Sequence, residues 1–279
     1  MSSIITLTTD FGYNDAYVAV VKGVILSTNS EANIVDITHS IEPQNIAQAA
    51  FILNTAYRHF PKQTVHLAVV DPDVGSERQG IIVKTPSAFF VAPDNGLLSH
   101  VINELSSTTS LATQHPSGYE RVTFKTGVEI VAITDPRFWR HPISFTFHAR
   151  DIFAPVAAGI SLGISIYEFG EKINSLYVFP VLKPSFDAQG NLIGQIVYID
   201  NFGNLITNIK NSDIPKKDVI IETAGYCIQG VSNYYAQNEG IMAILGSAGY
   251  LEIALRNGSA CDFLGMIVGD EIKVVSPIE

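Results

Sequence analysis

The segment VVDPDVGSER, residues 69–78, places Asp71, Asp73, Glu77 and Arg78 within eight positions of a chain in which only 16% of residues are charged. An apolar run, TVHLAVV, stops abruptly at Asp71-Pro72, and the chain then turns on Gly75. Either this is a solvated turn after a strand, or Asp71 is held beside Arg78 to do chemistry. A second dense segment, SFTFHARDIFAPVAAG (residues 144–159), sets His148, Arg150 and Asp151 between aromatic residues and an apolar helical run. Asp151 is placed to cap a helix starting near Ile152 or Phe153, with Arg150 paired to it on the surface. His148 is either a hydrogen-bonded core residue or a reactive group in an apolar pocket.

Two further segments offer binding groups. YIDNFGNLITNI (198–209) surrounds Phe202-Gly203 with Asp200, Asn201 and Asn204. It reads as a β-turn with polar corners or as a loop with one aromatic platform, suited to a flat heterocycle or an amino acid. LGSAGYLEIALRNGSA (245–260) has glycines too loosely spaced for a dinucleotide fingerprint and no P-loop lysine, and reads as a hairpin turn. No HExxH spacing, EF-hand loop or GxSxG elbow is present, so neither a metal centre nor a serine hydrolase is indicated. A metal held by Asp71 and Asp73 would face competition from Arg78.

The elements that must position these groups alternate. IITLTTD, NIVDITH, TVHLAVVD, GIIVKT and AFFVAPD read as strands, while DAYVAVVKGVILSTN and IAQAAFILNTAYRHF have helical spacing, the latter stopped by Pro61. This pattern predicts an α/β fold with a mostly parallel central sheet flanked by helices, in which ligands bind beyond the carboxyl ends of the strands. Asp10, Asp71 and Asp94 each close such a run and are expected along that edge. Beyond it, GQIVYID, VIIET, YCIQGV, IMAILG, YLEIAL and DEIKVV predict an all-β domain. The expected organisation is an N-terminal α/β catalytic domain over 1–172, a linker over 173–187 and a C-terminal β-barrel-like domain over 188–279.

Composition narrows the partners. A net charge of −10 and the lack of any basic run argue against nucleic acid. No stretch approaches the roughly 18 apolar residues of a membrane span, and the N-terminus does not read as a signal peptide. Cys227 and Cys261 are the only cysteines and form no CxxC pattern. With 47% hydrophobic residues and a mean hydropathy of +0.23, the chain can bury a large core, and a cytoplasmic protein is expected.

In order and spacing, TTDFGYNDAYVAVVKGVI, DITHSI, VVDPDVGSER, APDNGLL, TFHARDIFAPVAA, NFGNLITNI and GSAGYLEIA resemble the SAM hydroxide adenosyltransferases, or SAM hydrolases. These are relatives of the fluorinating and chlorinating enzymes that use S-adenosylmethionine. The resemblance runs nearly the full length. It implies displacement at the 5′ carbon of SAM by a water-derived hydroxide, releasing adenosine and L-methionine, with SAM as substrate and no cofactor. It also implies a homotrimer with active sites between subunits. The family's catalytic aspartate, arginine and histidine match Asp71, Arg78 and His148. Asp10 matches the ribose-binding aspartate, and Phe202 and Asn204 match the adenine-contacting FGN loop. Asp200 can then pair with the methionine ammonium, and Ser247 with the carboxylate end. Asp73 and Ala149 stand where the family usually has glycine; positive φ at 73, or crowding by the Ala149 methyl, would follow if those glycines were required. The halogenating relatives lack the acid and the histidine and carry an inserted loop. No such insertion is evident between Asn95 and Gly127, which favours hydrolysis over halide transfer. A SAM- or adenosine-binding protein without turnover is the reading from outside catalysis.

Overall fold

The computed structural model describes residues 4–105, 108–110, 120–124, 127–214 and 218–275. The stretch between Asn95 and Gly127, where the sequence shows no inserted loop, therefore lies partly outside the described residues. The chain divides into two compact units, Met1–Val181 and Leu182–Glu279.

In the first unit, β1 (Ile4–Thr9), α1 (Tyr17–Thr28), β2 (Asn33–Thr38), α2 (Ile46–Ala56), β3 (Thr64–Val69), β4 (Gly80–Lys84), β5 (Ala88–Pro93) and α3 (Ser99–Glu104) follow the alternation of the sequence. The short strands β6 (Thr108–Ser110) and β7 (Glu120–Phe124) come next, then β8 (Glu129–Ile133), α4 (Ala154–Ser161), β9 (Gly170–Ile173) and β10 (Ser175–Val178). The main sheet has the order β2-β1-β3-β5-β4-β8-β9. Its β2, β1, β3 and β5 are mutually parallel; β4, β8 and β9 extend it in antiparallel fashion. A small antiparallel sheet, β10-β7-β6, completes the unit.

Every residue of β3 is buried, as expected of a strand with both faces covered. Its side chains alternate between two cores. Val65, Leu67 and Val69 pack with Val21, Val24 and Ile25 of α1 and with Val156 and Ala157 of α4. Ala68 and Val70 pack with Ala49 and Leu53 of α2 and with Val101 and Ile102 of α3. The sheet is thus the middle layer of three. Residues 173–187, read from sequence as a linker, contain β10 and the short β11 (Ser185–Phe186).

The second unit is an antiparallel near-barrel. Among the described residues its strands are β11, β12 (Leu192–Ile199), β13 (Leu205–Lys210), β14 (Ile220–Thr223), β15 (Tyr226–Gln229), β16 (Ile241–Leu245), β17 (Tyr250–Leu255) and β18 (Glu271–Val275), joined by the short α-helix α5 (Ala260–Leu264). The order is β15-β14-β18-β12-β13-β17-β16, with β11 paired to β12. β12 is the long strand: its first half pairs with β18 and its second half with β13, which curves the sheet around one core.

β3 also carries a buried histidine. His66 is 1% exposed, stacks on Phe90 at 5.2 Å and meets Tyr57 and Phe60 edge-on, with Nδ1 2.7 Å from the Thr6 hydroxyl. Burial pushes its pKa down to about 4. Above pH 6.5 the ring is neutral whether the chain is folded or not. As pH falls from 6.5 to about 4, the unfolded chain takes up a proton that the folded one refuses, so stability falls. His66 alone is expected to remove about 2 kcal/mol between pH 7 and pH 5. Urea titrations at the two pH values, on wild type and His66→Gln, should show a smaller pH difference in the variant.

Candidate active site

The sheet topology collects the strand-end acids. β1, β3 and β5 are adjacent and parallel, so Asp10, Asp71 and Asp94 all lie beyond the same carboxyl edge. They are not equivalent there. Asp71 lies in the turn that follows β3, where Val74 N–H donates to its carbonyl (3.3 Å) and Ser76 N–H to that of Asp73 (3.0 Å). Arg78, at the end of the turn, folds back: Nε donates to Asp71 Oδ1 at 2.8 Å and Nη2 donates to Asp71 Oδ2. The same Nη2 lies 3.0 Å from Nδ1 of His148, seventy residues along the chain. The guanidinium also sits over the Phe153 ring, 5.2 Å from its centroid. The side chains of Arg78 and Asp71 are only 9% and 5% exposed.

A guanidinium only donates, so His148 Nδ1 must accept, and the ring proton of the neutral form resides on Nε2. Burial, and then the Arg78 charge, lower the histidine pKa against the opposing pull of Asp71 and Asp151. Burial raises the Asp71 pKa, and the hydrogen bonds and charge of Arg78 pull it back. The result is a carboxylate more basic than an ordinary aspartate beside a histidine that resists protonation. Such a set can orient a water molecule, stabilise developing hydroxide with a fixed positive charge and receive a proton on the carboxylate.

Close approaches of backbone hold the set together. Gly75 has φ +85°, and a Cβ there would lie 2.3 Å from the carbonyl oxygen of Phe145, three residues before His148. Gly80 lies against Phe153: a Cβ would meet the ring at 2.6 Å. Each glycine lets the Asp71–Arg78 turn dock against the segment that presents His148. The residue that must be glycine in this turn is therefore Gly75. Asp73 does not take positive φ, so the strain considered for it does not arise. Asp73 is exposed and lines, with Arg78, Asp94, Arg121 and Tyr177, an open cavity of about 1300 Å³. The methyl group of Ala149 is buried in the core and packs there.

Asp151 departs from the reading as a helix cap. It sits within a π turn, Ala149–Phe153, that precedes α4, and no side chain caps α4. Asp151 is fully buried; it accepts from Ser144 N–H at 2.8 Å and from the Arg150 guanidinium at 2.6 and 2.8 Å. It ties the chain on either side of His148 together.

Asp10 accepts the Gln44 N–H at 2.9 Å. The strand end beside it is held by buried His39, whose Nδ1 lies 2.7 Å from the Thr9 hydroxyl and whose carbonyl accepts from Gly12 N–H at 2.8 Å. Asp94 is otherwise engaged. It accepts Tyr177 N–H at 2.8 Å, and burial raises its pKa to about 6, so sequence spacing located its position but not its use.

In the second unit the Asp200–Asn204 loop organises itself. Asp200 Oδ1 accepts the N–H groups of Phe202 (2.8 Å) and Asn204 (2.9 Å), and Oδ2 accepts the Asn204 amide (2.8 Å). Gly203, at φ +79°, packs on Ser259, where a Cβ would meet the hydroxyl at 2.1 Å. Phe202 is left 75% exposed, as a binding platform would be. Ser247 lies exposed in the turn between β16 and β17. Tyr235 and Glu252 went unread in the sequence. Tyr235 donates its hydroxyl to Glu252 at 3.1 Å, and the carboxyl sits where a Cβ on Gly246 would be. Burial first, then Asp200, raise the proton affinity of Glu252, and Tyr235 is pushed up to about 12. The one signal for Glu252 was an acid inside the apolar strand YLEIAL.

Among the described residues, no group of three or more histidine, cysteine, aspartate or glutamate side chains could hold a metal, and no helix is long and apolar enough to cross a membrane. Two family descriptions match the chain: the SAM hydroxide adenosyltransferase N-terminal domain over residues 5–170, and its C-terminal domain over 194–273. The chain belongs to the SAM hydroxide adenosyltransferase family. A curated relative from Methanocaldococcus jannaschii, named (R)-S-adenosyl-L-methionine hydrolase, is 35% identical, with 98% of this chain and 95% of the relative covered. A crystal structure of an uncharacterised conserved protein from Thermotoga maritima superposes with a TM-score of 0.84 at 34% identity, covering 98% of this chain and 100% of that one. A fluorinase from Nocardia brasiliensis is more distant, 26% identical over 77% of this chain and 74% of its own. The Asp71–Arg78–His148 cluster and the Asp200–Asn204 loop thus lie in the two matched halves of a SAM hydroxide adenosyltransferase.

Two outcomes follow from the geometry. Gly75→Ala should cost about 1–2 kcal/mol from its left-handed backbone alone, and more from the Phe145 carbonyl, as read by urea unfolding. Asp73 adds negative charge beside Asp71 and raises its pKa, so Asp73→Asn should lower that pKa, as read by carboxyl-carbon NMR titration.

Proposed function

We propose that this protein hydrolyses S-adenosyl-L-methionine to adenosine and L-methionine, by in-line attack of a water-derived hydroxide on the 5′ carbon. The observation that carries the reading is the Arg78 guanidinium, which grips Asp71 with two donors and reaches His148 with one of them, in a chain 35% identical to a named SAM hydrolase. The C5′–O bond forms as the C5′–S bond breaks. The electron pair of that bond goes to sulfur, so methionine leaves as a neutral thioether and no general acid is needed. The difficulty lies with the nucleophile, because hydroxide is scarce at neutral pH.

In this reading Arg78 stabilises the developing hydroxide through a fixed positive charge. Asp71 takes the proton. Its carboxylate keeps lone pairs beyond those used by Arg78, and burial makes it more basic than usual. His148 Nδ1 is engaged by Arg78, so the histidine acts through Nε2–H, orienting the oxygen. Hydroxide meeting a sulfonium annihilates charge, which a drier, aromatic-walled site favours. Asp10 takes the ribose hydroxyls, Phe202 and Asn204 the adenine, Asp200 the ammonium and Ser247 the carboxylate of the methionine moiety. The homotrimer implied by the resemblance belongs to the same proposal, and sedimentation equilibrium tests it. No cofactor enters the reaction.

Purified protein incubated with SAM should release adenosine and methionine in equal amounts, above a protein-free control, as followed by chromatography. Adenosine no higher than in the control would sink the proposal, and tight adenosine binding without turnover would replace it with a binding protein. Added chloride or fluoride should leave the product unchanged; a 5′-halogenated nucleoside would place the protein with the halide transferases. Arg78→Ala and His148→Ala should lower kcat by about 10²-fold or more while weakening SAM binding less. Equal losses in both would make these residues substrate holders.

A further inference from the structure

Asn95, in the motif APDNGLL, has no role in the mechanism above, yet it is buried and aimed at the root of the Asp71–Arg78 turn. Its side-chain Nδ2 donates to the carbonyl of Val70 at 2.8 Å. Val70 is fully buried and immediately precedes Asp71. It also lies past the end of the strand ladder on both sides. The β1–β3 pairing ends at Thr9–Val69, and the β3–β5 pairing ends at Leu67–Val91. The carboxamide therefore supplies a bond that no neighbouring strand provides, at the point where the chain leaves the sheet for the site.

The rest of the 94–95 dipeptide grips the other end of the same turn. Asp94 N–H donates to the carbonyl of Gln79, the residue after Arg78, at 2.9 Å. The carboxamide is itself oriented, because Asn95 Oδ1 accepts Leu97 N–H at 3.3 Å. The Asp94 carboxyl is anchored to Tyr177 N–H at 2.8 Å. Both roots of the turn thus hang from one dipeptide, and its tip is pressed on the Phe145 carbonyl through Gly75.

We propose that Asn95 is a positioning residue for the Asp71–Arg78–His148 set: by holding the Val70 carbonyl it fixes where Asp71 leaves the sheet, and so whether Arg78 reaches Asp71 and His148 together. The kinetic part of this inference rests on the hydrolase reading; the titration part does not. Displacement of the turn by about 1 Å would break the 2.8 and 3.0 Å contacts, a scale at which misplacement costs on the order of 10²-fold in rate.

The test uses Asn95→Asp, which keeps the acceptor toward Leu97 and removes the donor, with Asn95→Ala as the second variant. Asn54→Ala is the comparison, since it also deletes a buried amide bond, to Glu104 at 3.1 Å, between α2 and α3. In the Asn95 variants kcat for SAM should fall about 10-fold or more with KM changed less than about threefold. In the unliganded variants, the imidazole-carbon NMR titration of His148 should move up toward its ordinary value as the Arg78 charge withdraws. Asn54→Ala should lower the melting temperature and move neither readout. Asn95 variants that lose melting temperature like Asn54→Ala, but keep wild-type kcat and His148 titration, would overturn the assignment. If the wild type does not turn over SAM, the hydrolase reading fails, while the His148 titration still decides the role of Asn95.

Discussion

The structure of the first unit turns on one buried ion pair. Arg78 and Asp71 are almost wholly removed from water, and an ion pair in that setting holds only if its geometry is good and its remaining groups are satisfied. The paired donation to both carboxylate oxygens meets the first requirement, and the contact to His148 uses Nη2 a second time. Almost every unusual feature nearby serves that geometry. Gly75 and Gly80 are spots where a methyl group would drive the turn off its support, and the Phe153 ring floors the guanidinium. Asp151 ties the His148 segment to itself by way of Ser144.

The pair also sets the electrostatics. Burial favours the neutral form of both Asp71 and His148, raising one pKa and lowering the other. The Arg78 charge then acts on them in a common direction: it lowers the proton affinity of the aspartate and of the histidine. The aspartate gains in basicity over an ordinary carboxylate, while the histidine resists protonation and, in its neutral form, keeps its proton on Nε2. One fixed cation thereby favours the proton-free form of both neighbours, an anionic carboxylate and a neutral imidazole, an arrangement suited to activating water.

In the second unit, Asp200 plays a part that its place in a half-buried loop does not advertise. It is first of all the organiser of its own loop, accepting two main-chain N–H groups and one side-chain amide, and only its remaining lone pairs are available to a ligand. The self-contained hydrogen bonding frees Phe202 to stand in solvent without loosening the backbone beneath it. Glu252, buried under the β16–β17 turn and bonded to Tyr235, brings a second acid under the influence of the Asp200 charge.

Where each residue's environment comes from its near neighbours in the chain, the sequence was legible. The strand runs ending in Asp10, Asp71 and Asp94, the two long helices and the change to short strands near residue 190 all follow from local periodicity and breakers, and the structure has them. Strand β13, Leu205–Lys210, follows directly on the polar corner of its segment, which masks it, and β10 lies in a stretch whose prolines signal a linker. Motif resemblance singles out Asp71, Arg78 and His148, and the structure brings these three side chains together. What only tertiary structure decided is how these groups are held. That Asp151 is a buried tether, that Asp94 is occupied by Tyr177, that Gly75 and not position 73 takes positive φ, and that Asn95 holds Val70 all depend on contacts between segments far apart in sequence. Side-chain spacing can say which residues end a strand. Which hydrogen-bond partners remain for them is settled only when separate strands and loops arrive at the same edge of the sheet and exclude water there.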